Sequence, residues 1–243
     1  MKRSKITILL AIVLGMTFHS CLDLEPQDQL GGKNMWTSVN DYKQFANTFY
    51  SWTRDFSSVV YDGTHSDKRS DLITYQSYNE FSRGINSIPS SDANYTDNYK
   101  HIRRTNLLLQ NAEAYAKPED IKQYIGEAYF FRAYSYFDLL QLYGDVIITK
   151  KPLDITDPEM KVKRNDRSEV VDLIIDDLNH AVENLPAFKE LTTEEEGRIS
   201  KEGAQAFLSR VALYEGTWQK SRNGNQNTQR SANLLDIAAK AAR

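Results

Sequence analysis

Residues 121–148, IKQYIGEAYFFRAYSYFDLLQLYGDVII, restrict the fold more than any other stretch of the chain. They follow a Lys117-Pro118-Glu119-Asp120 break, where proline suits the first turn of a helix and the acids suit the positive end of its dipole. Gly144 closes the stretch with the residue type that tolerates a left-handed C-cap. On a helical wheel Glu127, Phe131, Tyr134, Asp138 and Gln141 share one side, while Ala128, Phe130, Ala133, Phe137, Leu139, Leu140 and Leu142 spread over most of the remainder. A helix apolar over so wide an arc must be buried against more than one neighbour. Ala128 and Ala133 allow close approach, and the large aromatics fill the space beside them. The stretch predicts the central helix of an all-α domain.

Helical spacing recurs on both sides of it. In 38–52, Ser38 and Asp41 read as a capping box, and Tyr42, Phe45, Ala46 and Phe49 form an apolar stripe flanked by Trp36 and Trp52. Residues 97–116 place Tyr99, Ile102, Asn106, Leu109, Ala112 and Ala116 on one stripe, and Asn106, if buried, needs a backbone partner for its amide. An extended crossing is expected from Val146 towards Leu153. Residues 166–185 are amphipathic through Val171, Ile174, Ile175, Leu178, Ala181, Val182 and Leu185, with Pro186 as a stop. A charged turn containing Glu194-Glu195-Glu196 follows. Ser200 then caps a helix expected to end near Gly216, 221–230 reads as a polar loop, and 232–243 begins another helix. Pair openings near 97, 166 and 231 stand about twice the usual tetratricopeptide period apart. The fold class expected is therefore all-α, with tetratricopeptide-like stacked helix pairs and long irregular loops.

The amino terminus carries an address. Residues 1–20 have a basic start and a short apolar core, too short to span a bilayer, and Cys21 follows at once as the one cysteine of 243 residues. A lone cysteine in that place is the expected lipid-attachment site of a bacterial lipoprotein, and it leaves no intrachain disulfide or thiolate zinc site. Residues 21–35 read as a polar lipidated tether, leaving 36–243 as the helical domain. Formal net charge is −3; without the three bases of the leader, 27 bases face 33 acids, a balance of −6. A mildly acidic chain without a basic cluster argues against nucleic acid as the ligand.

EAYFFRAYSYFDLLQLYGDVIITKKPL, with the later GRISKEGAQAFLSRVALYEGTW, resembles the SusD/RagB family of outer-membrane nutrient-binding lipoproteins. The Tyr-Gly-x-Val-x-x-x-x-x-Pro-Leu pattern from Tyr143 to Leu153, the Leu24-Glu25-Pro26 passage after the cysteine, and Trp36 before the first helix are similar to the family's. The resemblance implies a lipid-anchored protein on the cell surface at the outer membrane. Such a protein binds oligosaccharides or peptides and passes them to a partner SusC-like TonB-dependent transporter. It implies no cofactor. Because family members run to about twice this length, the chain is expected to be the family's N-terminal portion, truncated at the C-terminus, with the packing partner of the last helix missing.

Catalytic signatures were sought and are lacking. No histidine pair has i, i+4 spacing; Asp62, Asp67 and Asp71 surround Gly63 without the order of an EF-hand; and no nucleophile elbow or phosphate-cradling loop occurs. Arg132 falls on the arc of 121–148 that should be buried, so a structural role is expected there, as an ion pair between helices or else as a snorkelling side chain. Ligand chemistry concentrates between the first two helices, a segment too aromatic for disorder and too irregular for a long helix. Sugar rings offer apolar faces ringed by hydroxyls, which call for tyrosine platforms flanked by polar side chains. Asp67, Arg69, Asp71, Tyr75, Tyr78, Asn79 and Tyr95 supply both; the alternative is that these tyrosines pack the segment onto the helices. In the resembled family this region contributes to the binding face, and Ser70-Asp71 is similar to its Ser-Asp element. A different reading of the whole, a helical-repeat envelope lipoprotein serving as a protein-protein interaction scaffold, stays open, as does, more remotely, a carbohydrate-active enzyme.

Overall fold

The computed structural model describes residues 35–54, 83–85, 87–222 and 228–243. Within them lie α1 (Val39–Asn47), α2 (Ala93–Glu113), α3 (Lys122–Tyr143), α4 (Arg167–Asn184), α5 (Lys201–Arg222) and α6 (Thr228–Ala241). Short 3-10 turns extend α1 over Thr48–Trp52 and introduce α3 over Pro118–Ile121. Among the described residues β structure is confined to one isolated antiparallel bridge between Val146 and Asn165. The expected all-α class is what the chain adopts.

Local chemistry accounts for the starts. The Asp41 carboxylate accepts from the Ser38 and Thr37 amides at 2.8 and 3.0 Å, while the Ser38 hydroxyl accepts from the Asp41 amide at 3.4 Å. That reciprocal capping box fixes the first turn of α1. Trp36, just before it, holds a φ of 77°. Such a backbone disfavours a large side chain by about 1–2 kcal/mol, offset by an indole lodged on Tyr42 and Phe45 with centroids 5.0 and 4.7 Å away. Asp92 caps α2 from a position earlier than the periodicity suggested, its carboxylate accepting from the Asn94 amide at 2.9 Å. That helix ends at Glu113, so Ala116, expected on its buried stripe, is exposed. At α4 the Glu169 carboxylate accepts from the Asp166 amide at 3.1 Å, and Leu185-Pro186 ends the helix.

α3 is the centre, with α1, α2 and α4 all packed against it. Phe131 is 1% exposed and Tyr136, Leu139 and Leu140 are fully buried; each such burial contributes roughly 1.5–3 kcal/mol. Its polar side is covered as well, since Glu127 is 0% and Asp138 8% exposed. Ala128 and Ala133 are fully buried, as the close-approach argument requires. Successive helices run antiparallel. On α2 and α3, Asn98 meets Asp138 while Asn106 meets Arg132 further along. On α3 and α4, Gly126 lies against Leu185 while Arg132 meets Asp177.

Gly216 corrects an expectation. It does not end α5, which continues to Arg222, and α6 begins at Thr228, so the anticipated polar loop is shorter than 221–230. Gly216 lets two helices touch: a Cβ there would stand 3.0 Å from the Leu235 side chain, and its carbonyl accepts from the Ser231 hydroxyl at 2.8 Å. Gly216→Val is expected to lower stability by about 1–3 kcal/mol through overpacking, read as a fall in melting temperature. An unchanged melting temperature would show that the hairpin has room to spare.

The Trp52 indole stacks on His101 at 4.1 Å, tying the end of the first helical segment to α2. Burial lowers the His101 pKa from 6.5 to about 4, against a smaller opposing pull from Asp97. A folded-state pKa below the unfolded value means that the unfolded chain takes up the proton first. Stability is therefore expected to fall as pH drops from about 6.5 towards about 4. In melting curves across that range, the advantage of the native chain over His101→Gln should be largest near neutral pH and shrink on acidification. A constant difference would contradict the assignment.

Candidate ligand groove

Tyr95, Tyr99 and Arg103 recur every fourth residue on α2, one row away from the buried Asn98, Ile102 and Asn106. That row faces the crossing 146–153 and the 3-10 turn Pro158–Lys161. Between them lies an open groove of about 500 Å³, whose apolar floor includes Tyr95, Tyr99, Ile147, Leu153 and Met160. Polar groups stand on its rim: Lys100, Arg103, Thr149, Lys151 and Glu159.

The aromatic wall is braced from behind. The Tyr95 and Tyr99 rings are 4.8 Å apart, and Tyr143 meets Tyr95 edge-on at 5.2 Å. The Tyr143 hydroxyl donates to the Asp92 carboxylate at 2.6 Å, fixing that ring to the cap of α2. The Tyr99 hydroxyl donates to the Ile147 carbonyl at 2.8 Å. Burial, with the Tyr95 hydroxyl beside it, raises the Tyr99 pKa, so the phenol keeps its proton.

The facing wall is a strip of extended backbone held by the core. Asn106 donates its amide to the Thr149 and Lys151 carbonyls at 3.0 and 3.3 Å. Tyr136 accepts from the Thr149 amide at 2.8 Å. The Asn106 side-chain oxygen accepts from Arg132 at 2.8 Å, and Arg132 grips Asp177 through two bonds of 2.6 and 2.8 Å. Burial alone would lower the Arg132 pKa, but the Asp177 carboxylate raises it, so the guanidinium stays charged. Both expectations made for Asn106 and Arg132 are met: the amide binds backbone, and the arginine bridges α3 and α4.

The groove has limited chemistry. Glu159 is the one carboxylate among its described lining residues, and it pairs with Lys151 at 2.7 Å. Glycoside hydrolysis ordinarily needs two facing carboxyl groups. Among the described residues no group of three or more His, Cys, Asp or Glu side chains is placed to hold a metal ion, and no helix is long and apolar enough to cross a membrane.

Of the seven anticipated ligand residues, Tyr95 lies in this groove. Asp67, Arg69, Asp71, Tyr75, Tyr78 and Asn79 fall outside the described residues, as do Cys21 and most of 21–35. The sequence reading missed Arg103, Thr149 and Lys151, and assigned Tyr99 to the core stripe, whereas its ring is half-buried and faces the groove. The four-residue recurrence of Tyr95, Tyr99 and Arg103 was the available signal. What it meets across the groove lies some fifty residues on, and no local pattern reveals that.

Asn106→Leu is expected to strand the Lys151 carbonyl and one nitrogen of Arg132, leaving the Thr149 carbonyl only the Tyr136 hydroxyl at 3.3 Å, a loss of about 1–3 kcal/mol. Amide hydrogen exchange should quicken through 146–153 while α6 keeps its protection. Unaltered exchange there would mean that something else holds the crossing.

The SusD-like family model described as "Starch-binding associating with outer membrane" matches residues 22–213. Two SusD-like proteins of Formosa agariphila are each 28% identical over 88% and 91% of the chain, which spans 42% and 45% of their own lengths. The chain thus spans less than half of the curated relatives it matches. Among solved structures, a SusD-like protein of Bacteroides fragilis superposes with a TM-score of 0.66 at 25% identity, covering 89% of this chain and 40% of that one. A laminarin-binding SusD-like protein gives a TM-score of 0.52 at 29% identity, over 65% of this chain and 32% of its own.

Proposed function

This chain belongs to the SusD-like family, and from that premise we propose that it is a cell-surface lipoprotein that captures oligosaccharides and delivers them to a partner SusC-like TonB-dependent transporter. In this reading residues 1–20 are removed as a signal peptide, Cys21 carries the lipid in the outer membrane, 21–35 is the tether, and 36–243 forms the recognising body. The observation that carries it is the paired Tyr95 and Tyr99 rings, 4.8 Å apart on the wall of an open groove edged with hydrogen-bonding groups. Flat aromatic faces suit the C–H faces of sugar rings, and the polar rim suits their hydroxyls. The starch-binding description of the family and the laminarin-binding relative support a glycan over a peptide.

In this reading the chain binds without turnover: among the described lining residues of the groove Glu159 is the one carboxylate, and it is paired with Lys151. Tyr95 is a ligand contact in this reading, joined by Asp67, Arg69, Asp71, Tyr75, Tyr78 and Asn79 from the segment leading into α2. Isothermal titration of the purified chain with starch- and laminarin-derived oligosaccharides tests it. Tyr95→Ala should weaken binding about tenfold with the melting temperature unchanged. Equal affinity in a folded Tyr95→Ala protein would remove this groove from the account.

A further inference from the structure

We propose that the groove selects acidic oligosaccharides, seating sugar faces on Tyr95 and Tyr99 and a ligand carboxylate or sulfate between Arg103 and Lys151. The proposal rests on the glycan-binding reading and narrows its substrate class. Its basis is a local reversal of charge. The chain as a whole carries −3, yet among the described residues of the groove lining Lys100, Arg103 and Lys151 face one acid, Glu159. An acidic protein repels an acidic polymer at range, so a cationic strip beside aromatic platforms is the arrangement that would admit one.

The acids near these cations hold them loosely. Arg103 lies 3.7 Å from Asp154, a residue with 84% side-chain exposure, and Lys100 meets Asp97 at 2.7 Å with both side chains more than half exposed. Lys151 and Glu159 pair at 2.7 Å, each about half exposed. Exposed pairs of this kind contribute little to stability and exchange readily for another anion. Arg103 donates Nε to the Leu153 carbonyl at 3.3 Å, which fixes the plane of a guanidinium suited to a forked grip on carboxylate or sulfate. The adjoining hollow of about 510 Å³ shares Glu159 and adds Lys163 and Arg164. It also holds three carboxylates, Glu159, Asp166 and Glu169, the last of which caps α4, so the net positive lining belongs to the first groove.

The test is titration of the full chain with oligogalacturonate, a chondroitin sulfate tetrasaccharide and a neutral laminari-oligosaccharide of similar length. Each is measured at low and at moderate salt. The acidic probes should bind about tenfold more tightly than the neutral one and lose that margin as salt rises. Arg103→Gln with Lys151→Gln should remove about tenfold from the acidic probes and distinctly less from the neutral probe, with the melting temperature unchanged. Tyr95→Ala should weaken both classes. A neutral probe bound as tightly as the acidic ones, with the double substitution silent, would overturn the charge preference and leave glycan binding standing. Absence of binding to every sugar would instead overturn the glycan reading itself.

Discussion

Arg132 brings a full positive charge into the middle of the helix stack, where it is 5% exposed and Asp177 is 0% exposed. Neither group tolerates that position alone; removing one partner of such a pair typically costs about 3–5 kcal/mol. A well-packed apolar pair of equal volume could match the stability, so what the ion pair adds is position. Its two bonds set the rotation of α3 against α4, and its third, to Asn106, passes that setting to α2 and to the crossing 146–153. The wall of the groove and the centre of the core are thus one hydrogen-bonded unit.

The same device recurs along the stack. Arg198 enters from the turn before α5 and binds the fully buried Glu127 through two bonds of 2.8 and 2.7 Å, while also reaching Asn47 at the end of α1. Arg167, at the start of α4, pairs with the buried Glu215 of α5 at 2.8 Å and lies 4.1 Å from the Trp218 ring. Arg54 pairs with Asp138, which also accepts from Asn98 at 2.7 Å. Helices that meet largely through Leu, Phe and Ala can slide or rotate by a residue with little loss of buried area. A buried guanidinium with a matching carboxylate has one register that satisfies it, and every other register leaves two charges stranded.

This explains which parts of the fold were legible beforehand. Capping at Ser38, the apolar stripe of α1, the amphipathic stretch 166–185 and the wide apolar arc of α3 are local patterns, and each appears where the sequence placed it. Arg132 was recognisable as a buried cation, but its partner is 45 residues away and on another helix, and acids are too plentiful for one to stand out. Glu127 looked like part of a polar side and proved fully buried, because the arginine that satisfies it comes from a loop 71 residues later. Gly216 was read as a stop because glycine usually weakens a helix, whereas here the contact with Leu235 is what needs it. For the groove, Tyr95 could be found from its residue type, but Lys151 could not: its place depends on a crossing fixed by Asn106.

The division of labour within the groove follows from the same facts. Thr149 has its amide bound by Tyr136 and its carbonyl by Asn106, so one wall is set before any ligand arrives. The opposite wall is helical and its Tyr99 is pinned to Ile147. A ligand therefore meets a shape that needs little ordering, and the entropy that binding would otherwise lose to loop closure is largely spared. The charged rim is different: Lys100, Arg103 and Lys151 have side-chain exposures of 72%, 53% and 53% and no core duties. Surface residues of that kind can change with little effect on stability. A scaffold whose groove is shaped by buried groups and edged by replaceable ones can keep its fold while its preference among ligands shifts. For this chain, the edge is basic.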